Sequence, residues 1–164
     1  MVRRVVAACL VLAGCSQQPG ASSDNPLGLK LDENAAVGAC LTPEEERAPI
    51  ERMTPERRRQ AIACIQSQAA EQLRPQLPQQ VDPVTRLTDI TVDGTMLTYH
   101  QIVDVEADTI TPAMLQQIET RVRASVCGQA DMRGTIEFGG GYSYRWNDKE
   151  GRLLHEVRID RCAG

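Results

Sequence analysis

Apolar positions along the chain follow two different periods, and the switches between them mark out the predicted elements. Ile62, Ile65, Ala69 and Leu73 recur at helical spacing, the pattern of a helix with one face toward a core. Thr54-Pro55-Glu56 starts it with a hydroxyl N-cap, a first-turn proline and an early acid, and the helix should stop before Pro75. Thr42-Pro43-Glu44-Glu45 carries the same start signal upstream, where Pro49 limits the helix to a turn or two. Period two then takes over. Thr85 to Val92 is rich in β-branched residues, Asp93-Gly94 signals a two-residue hairpin, and Leu97, Tyr99, Val103 and Val105 mark a return strand interrupted by Gln101.

A third Thr-Pro pair, Thr111-Pro112, opens the second main helix, whose stripe is Leu115, Ile118, Val122 and Val126 and whose end is Cys127-Gly128. Asp131 to Phe138 reads as a short helical turn. Gly139-Gly140-Gly141 lets the chain bend into Tyr142-Ser143-Tyr144-Arg145-Trp146, the clearest alternating strand. Asn147 to Gly151 makes a turn, and Leu153, His155, Val157 and Ile159 alternate with Leu154, Glu156, Arg158 and Asp160. The order α-β-β-α-β-β predicts an α+β domain: a four-stranded antiparallel sheet with helices packed on one face.

The first residues follow neither period. Arg3 and Arg4 precede an apolar run from Val5 to Leu12, too short for the roughly 20 residues that span a bilayer and suited to a signal peptide. The run ends in Leu12-Ala13-Gly14-Cys15. This tetrapeptide resembles the lipobox of bacterial lipoproteins, in which the cysteine thiol receives a diacylglyceryl group, the chain is cut before it, and the new amino terminus is acylated. The resemblance implies a lipid on Cys15 and a membrane as partner, since several acyl chains on one residue anchor stably. Ser16 follows the cysteine where enteric lipoproteins retained at the inner membrane carry aspartate, so the resemblance implies the outer membrane. The competing reading is an ordinary secreted protein with an incidental cysteine near its cleavage site. Residues 16 to about 38 are rich in Ser, Gln, Gly, Asn and Pro without apolar periodicity, which predicts a flexible spacer. The expected organisation is therefore a signal peptide over 1–14, a tether over 15–38 and a single domain over 39–164.

Composition narrows the function classes. Losing residues 1–14 removes Arg3 and Arg4 from 18 basic residues set against 22 acidic ones, moving the net charge from −4 to −6. That balance argues against nucleic acid, which selects a concentrated basic surface; the one cluster, Arg57-Arg58-Arg59 behind Glu56, reads as a solvated helix face. Four of the five aromatics, all but Tyr99, namely Phe138, Tyr142, Tyr144 and Trp146, fall in one short segment, which must therefore matter to the core.

Candidate chemistry is sparse. Cys9 leaves with the signal peptide and Cys15 carries the lipid, so Cys40, Cys64, Cys127 and Cys162 remain, four cysteines of an oxidising compartment that read as two disulfides with three connectivities open. Zinc is disfavoured, because no two are spaced as ligand pairs and neither histidine lies near one. The glycines at 139–141 precede a strand rather than a helix, so they act as a hinge and not as a phosphate loop. His100 and His155 fall within strands with no nucleophile beside them, and Asp104 and Glu106 read as solvated. No catalytic residue, metal site or cofactor is expected.

The segment from Thr111 to Cys162 has a further pattern: a helix ending in Cys127, the spacer Met132-Arg133, Gly141-Tyr142-Ser143-Tyr144, the turn Asp148 to Gly151, and Ile159-Asp160-Arg161-Cys162. It resembles the AspS-type (GspS-beta) pilotin lipoproteins of type II secretion and a wider group of small exported proteins. The resemblance implies a Cys127–Cys162 bridge and, with it, a second bridge between Cys40 and Cys64. It also implies a non-enzymatic assembly factor that binds a secretin-like helix. The chain departs from that family in a longer N-terminal part and in the extra pair Cys40 and Cys64, which bear on the partner more than on the fold. The alternative is a periplasmic inhibitor or immunity-type lipoprotein. If the anchor is as expected, Cys15→Ser moves the exported chain from the membrane pellet to the soluble periplasmic fraction with its fold intact; unchanged pelleting would sink the lipid assignment.

Overall fold

A computed structural model of the chain describes residues 29–48 and 52–162. The expected signal peptide and the expected lipid site Cys15 lie outside these residues. Five helices and five strands are described: α1 (Glu33–Gly38), α2 (Pro43–Arg47), α3 (Pro55–Leu73), β1 (Gln79–Gln80), β2 (Thr85–Asp93), β3 (Met96–Val103), α4 (Pro112–Gly128), α5 (Ala130–Glu137), β4 (Gly141–Asn147) and β5 (Leu153–Ile159). The three Thr-Pro signals act as read from the sequence. Thr42, Thr54 and Thr111 each accept the N–H three residues on, and in α2 the Glu45 carboxylate returns the bond to the Thr42 N–H at 2.9 Å, completing a capping box.

The sheet differs from the expectation in two ways. It has five strands in sequence order, because Gln79–Gln80 adds a short edge strand beside β2, and β3 pairs with β4 in parallel while the other pairs are antiparallel. The reason is the connection. Hairpins reverse the chain, but α4, 17 residues long, rises about 25 Å, close to the length of the eight-residue β3. It carries the chain back to the end where β3 began, so β4 starts beside Met96 and runs the same way.

Register puts one row of side chains after another on the inner face: Ile90, Tyr99, Tyr144 and Val157 stand opposite one another, as do Val92, Leu97, Tyr142 and Ile159. Leu73 and Ala70 of α3, Val126 of α4, Ile136 of α5 and Leu29 join them in one core. A bulge between Leu87 and Asp89 lets Leu87 and Ile90, three positions apart, face the same way. Tyr99 stacks on Tyr144 with centroids 4.9 Å apart, and Tyr144 on Trp146 at 6.1 Å. The opposite face is polar. Thr91 Oγ1 lies 2.7 Å from His100 Nε2, and Ser143 donates to Glu156 at 2.8 Å.

The spacer expected over 15–38 is folded in its described part. Gln72 of α3 donates to the Asp32 carbonyl and accepts from its N–H at 3.2 and 2.9 Å, and Gln76 does the same for Lys30 at 2.7 and 2.9 Å. Two side-chain amides thus satisfy the backbone of an extended segment as a neighbouring strand would, while Leu29 and Ala36 are buried. The arm is held further on. Cys40 is bonded to Cys64 with Cα atoms 5.7 Å apart. Arg57, expected on a solvated face, instead grips both oxygens of Glu45 at 2.7 Å and donates to the Cys40 carbonyl at 3.0 Å. Cys127 is bonded to Cys162, joining α4 to the segment after β5.

At the glycine hinge Gly139 takes a positive φ of 97°, and Gly140 has the closest backbone neighbour. A Cβ on Gly140 would stand 2.6 Å from Thr135 Cγ2 and 2.9 Å from the Thr135 carbonyl oxygen, whereas one on Gly134 would meet nothing within 4 Å. Gly140→Ala is therefore expected to cost about 1–3 kcal/mol and Gly134→Ala, inside α5, to gain about 0.5–1 kcal/mol, read as opposite shifts of the urea midpoint. The Arg57 bonds and the Thr42 N–H hold the Glu45 carboxyl down at about 2, against an ordinary value near 4.5. A depressed carboxyl stabilises fully above its ordinary pKa and loses that contribution as pH falls toward its folded value. Between pH 4.5 and 2 the arm should loosen, seen as a shift of the Arg57 Nε–H resonance that Glu45→Gln abolishes.

Candidate functional site

An open groove of about 410 Å³ runs over the inner face of the sheet. Its floor is Leu97 and Tyr99 of β3 with Tyr142 and Tyr144 of β4. One side is α3, through Ile62, Ile65, Gln66, Ala69 and Leu73, extended by Leu31, Ala36 and Val37 of the clamped arm. The other is α5 and its approach, through Ala130, Met132, Thr135 and Phe138. The helical stripe read from the sequence is thereby divided. Ile62 and Leu73 are buried, while Ile65 and Ala69 are half-buried and line the groove. Small residues on both sides (Ala36, Ala69, Ala130, Gly134) keep the space above the tyrosines open.

The lining is apolar with few exceptions, and those are informative. Glu33 and Asp131 are its only charged residues, one in the first turn of α1 and one in the first turn of α5. Burial raises the pKa of the Tyr142 hydroxyl, Thr135 opposes this by hydrogen bonding, and the charges of Glu33 and Asp131 add to the rise. Burial likewise pushes Tyr99 and Tyr144 up, so the floor stays neutral throughout the physiological range. Gln66 is 4% exposed; its Nε2 donates to the Gly141 carbonyl at 3.1 Å.

The residues weighed for chemistry are not brought together. Cys40, Cys64, Cys127 and Cys162 are all in disulfides and hold no thiol. His100 lies on the polar face, its pKa lowered chiefly by burial. His155 is on the inner face, stacked on Trp146 with centroids 6.1 Å apart. Asp104 and Glu106 are exposed and share Lys149, at 2.9 and 4.0 Å. Among the described residues no group of three or more His, Cys, Asp or Glu is placed to hold a metal ion, and no helix is long and apolar enough to cross a membrane. An apolar groove for a helix is what the family resemblance implies, but the residues that form it were not legible in the sequence. Its only trace was the alternation of tyrosines at 142 and 144 and the small residues of α3, which alone do not show where a gap will form.

No family model and no curated protein matches the chain. Solved structures do. A Pseudomonas aeruginosa protein described as secreted matches with a TM-score of 0.56 at 17% identity, over 63% of this chain and 92% of its own. The pilotin EpsS of the Vibrio vulnificus type 2 secretion system matches with a TM-score of 0.55 at 16% identity, over the same shares. The type II secretion system pilotin AspS of Vibrio cholerae matches with a TM-score of 0.52 at 16% identity, over 63% of this chain and 93% of its own. At these identities the likeness is one of fold: the chain has the fold of type II secretion pilotins.

Proposed function

We propose that this chain is a pilotin-like lipoprotein, a non-enzymatic assembly factor that binds an amphipathic helix of a secretin-type partner in its groove. The observation that carries this reading is the open apolar groove over the tyrosine floor, on a fold shared with two type II secretion pilotins. A helix about 10 Å across with an apolar stripe suits such a groove, and helix-in-groove recognition needs apolar anchors at helical spacing and no bond-making chemistry. Burying that stripe supplies about 25 cal/mol per Å² of apolar surface, part of which offsets the lost freedom of the partner.

The lipid on Cys15 would hold the domain at the periplasmic side of the outer membrane. The 13 residues between Cys15 and Leu29 reach at most about 45–50 Å, which sets how far from the bilayer the groove works. The clamped arm supplies one side of the groove, so the extra bridge Cys40–Cys64, a departure from the family pattern, serves the binding site directly.

Crosslinking and pull-down from intact envelopes tests this, comparing the native protein with Ala69→Arg, which sets a guanidinium among the apolar lining. A secretin recovered with the native protein and reduced about tenfold or more with Ala69→Arg, at an unchanged urea midpoint, is the expected outcome. Recovery indifferent to Ala69→Arg would move binding away from the groove. A hydrolase or toxin in place of a secretin would make the protein an inhibitory lipoprotein instead.

A further inference from the structure

The groove has a length and an end as well as an apolar floor. Along α3 its lining runs from Ile62 to Leu73, about 16 Å at the helical rise. The arm lies antiparallel to α3, with Lys30 bonded to Gln76, Asp32 to Gln72 and Cys40 to Cys64. Leu31 and Leu73 therefore mark one end of the groove. The residues that lead back to Cys15 join the fold at that end, through Leu29, with 13 residues between the two.

Two features restrict what can fill this space. Its lining holds no lysine or arginine, so nothing there neutralises the carboxylate of a free fatty acid or the phosphate of a phospholipid. Sites for small polar molecules, about 300–1,000 Å³ in volume, orient their ligands through several placed polar groups. This one, of about 410 Å³, is lined chiefly by apolar side chains. An uncharged hydrocarbon chain meets both restrictions. An acyl chain spans one leaflet, about 15 Å or half the hydrocarbon core of a bilayer, which matches the run from Ile62 to Leu73.

We propose that the groove holds one acyl chain of the protein's own lipid at Cys15 while the protein is off the membrane. The inference rests on the lipid anchor and the helix-binding groove put forward above and adds the relation between them: acyl chain and helix cover the same floor and exclude each other. Reach is no obstacle, since 13 residues extend to at most about 45–50 Å and one end of the groove adjoins Leu29. The membrane decides which occupant wins. In a bilayer the acyl chain is surrounded by hydrocarbon, whereas in an open groove part of it stays in water. Transfer grows more favourable with the apolar area removed from water, so a bilayer within reach takes the chain. The groove is thus filled in transit, when it shields the chain and refuses helices, and is emptied for the partner on arrival.

The test uses the mature chain with both disulfides intact and Cys15 as its one free thiol, alkylated with either a hexadecyl or a methyl group. Methyl resonances of Ala36, Ala69 and Leu97, which line the groove, report its occupancy. Isothermal titration with a synthetic amphipathic helix of about five turns reports competition. The hexadecyl form is expected to stay monomeric, to shift those resonances relative to the methyl form, and to bind the peptide about tenfold or more weakly, as a tethered competitor should. Hydrogen exchange of α5 should be slower in the hexadecyl form and return to the rate of the methyl form when phosphatidylcholine vesicles are added in excess. Ala69→Arg should remove the resonance differences and drive the hexadecyl form into oligomers. Should that variant not fold, Gly134→Leu is expected to do the same, because a side chain there enters the groove with nothing within 4 Å of its Cβ. Identical resonances in the two forms would overturn the proposal and leave helix binding standing. Equal peptide affinity of the two forms, exchange of α5 that stays slow on vesicles, or a hexadecyl form indifferent to Gly134→Leu would overturn it too. A methyl form that binds no peptide would remove the helix reading, and the resonances alone would then decide for or against the acyl chain. Failure of the lipid assignment shows separately, in the fractionation of Cys15→Ser.

Discussion

Tyr99 faces Tyr144 because β3 and β4 run in parallel, and much else in the molecule follows from that pairing. The chain has few aromatics to build a core with, so their placement carries more weight than in an ordinary domain. The parallel register sets Leu97 beside Tyr142 and Tyr99 beside Tyr144 across the middle of the sheet, and stacked rings of this kind add about 0.5–1.5 kcal/mol beyond the area they bury. The pairing exists only if α4 returns the chain to its starting end. Cys127–Cys162 holds that helix against the segment after β5, and a bridge closing a loop of this length contributes roughly 3–4 kcal/mol in the chain-entropy model. Crossover, bridge and aromatic rows therefore stand or fall together.

The groove is the part of this core left uncovered. α3 covers β2 and the near side of β3, α4 lies toward β5, and α5, only eight residues long, meets the core through buried Ile136 and half-buried Met132. Between α3 and α5 the tyrosines are roofed by little more than alanine and glycine. On the α3 side the groove also depends on an arm that buries few side chains of its own. It is held by two glutamine amides, one disulfide and the Arg57–Glu45 pair. An ion pair partly open to solvent is worth little by itself, but here it shares its residues with a capping box and a carbonyl contact. The polar contacts and the bridge thus position the arm, and the apolar floor supplies the surface a partner would cover.

Individual residues show where sequence reasoning reached and where it stopped. The Thr-Pro starts of α2, α3 and α4, the Gly94 hairpin and the alternation from Tyr142 to Trp146 were legible because each depends on neighbours within a few positions. Gln101 looked like a flaw in its strand, yet it is buried at 4% exposure opposite Trp146. Residues 29–38 looked like spacer because their own composition gives no reason to fold; what orders them is Gln72 and Gln76, some forty residues away. Arg57 looked solvated for the same reason, its partner Glu45 lying on another helix.

By itself, then, the sequence determined the kinds of the main elements and their order along the chain, both properties of local spacing and residue chemistry. Only the tertiary structure decided that β3 and β4 are parallel, that the arm packs on α3, and that a gap remains above Tyr99 and Tyr144 with Gln66 at its side. Those outcomes depend on how far one helix carries the chain and on which small side chains end up facing each other, and neither is written in the period of any single segment.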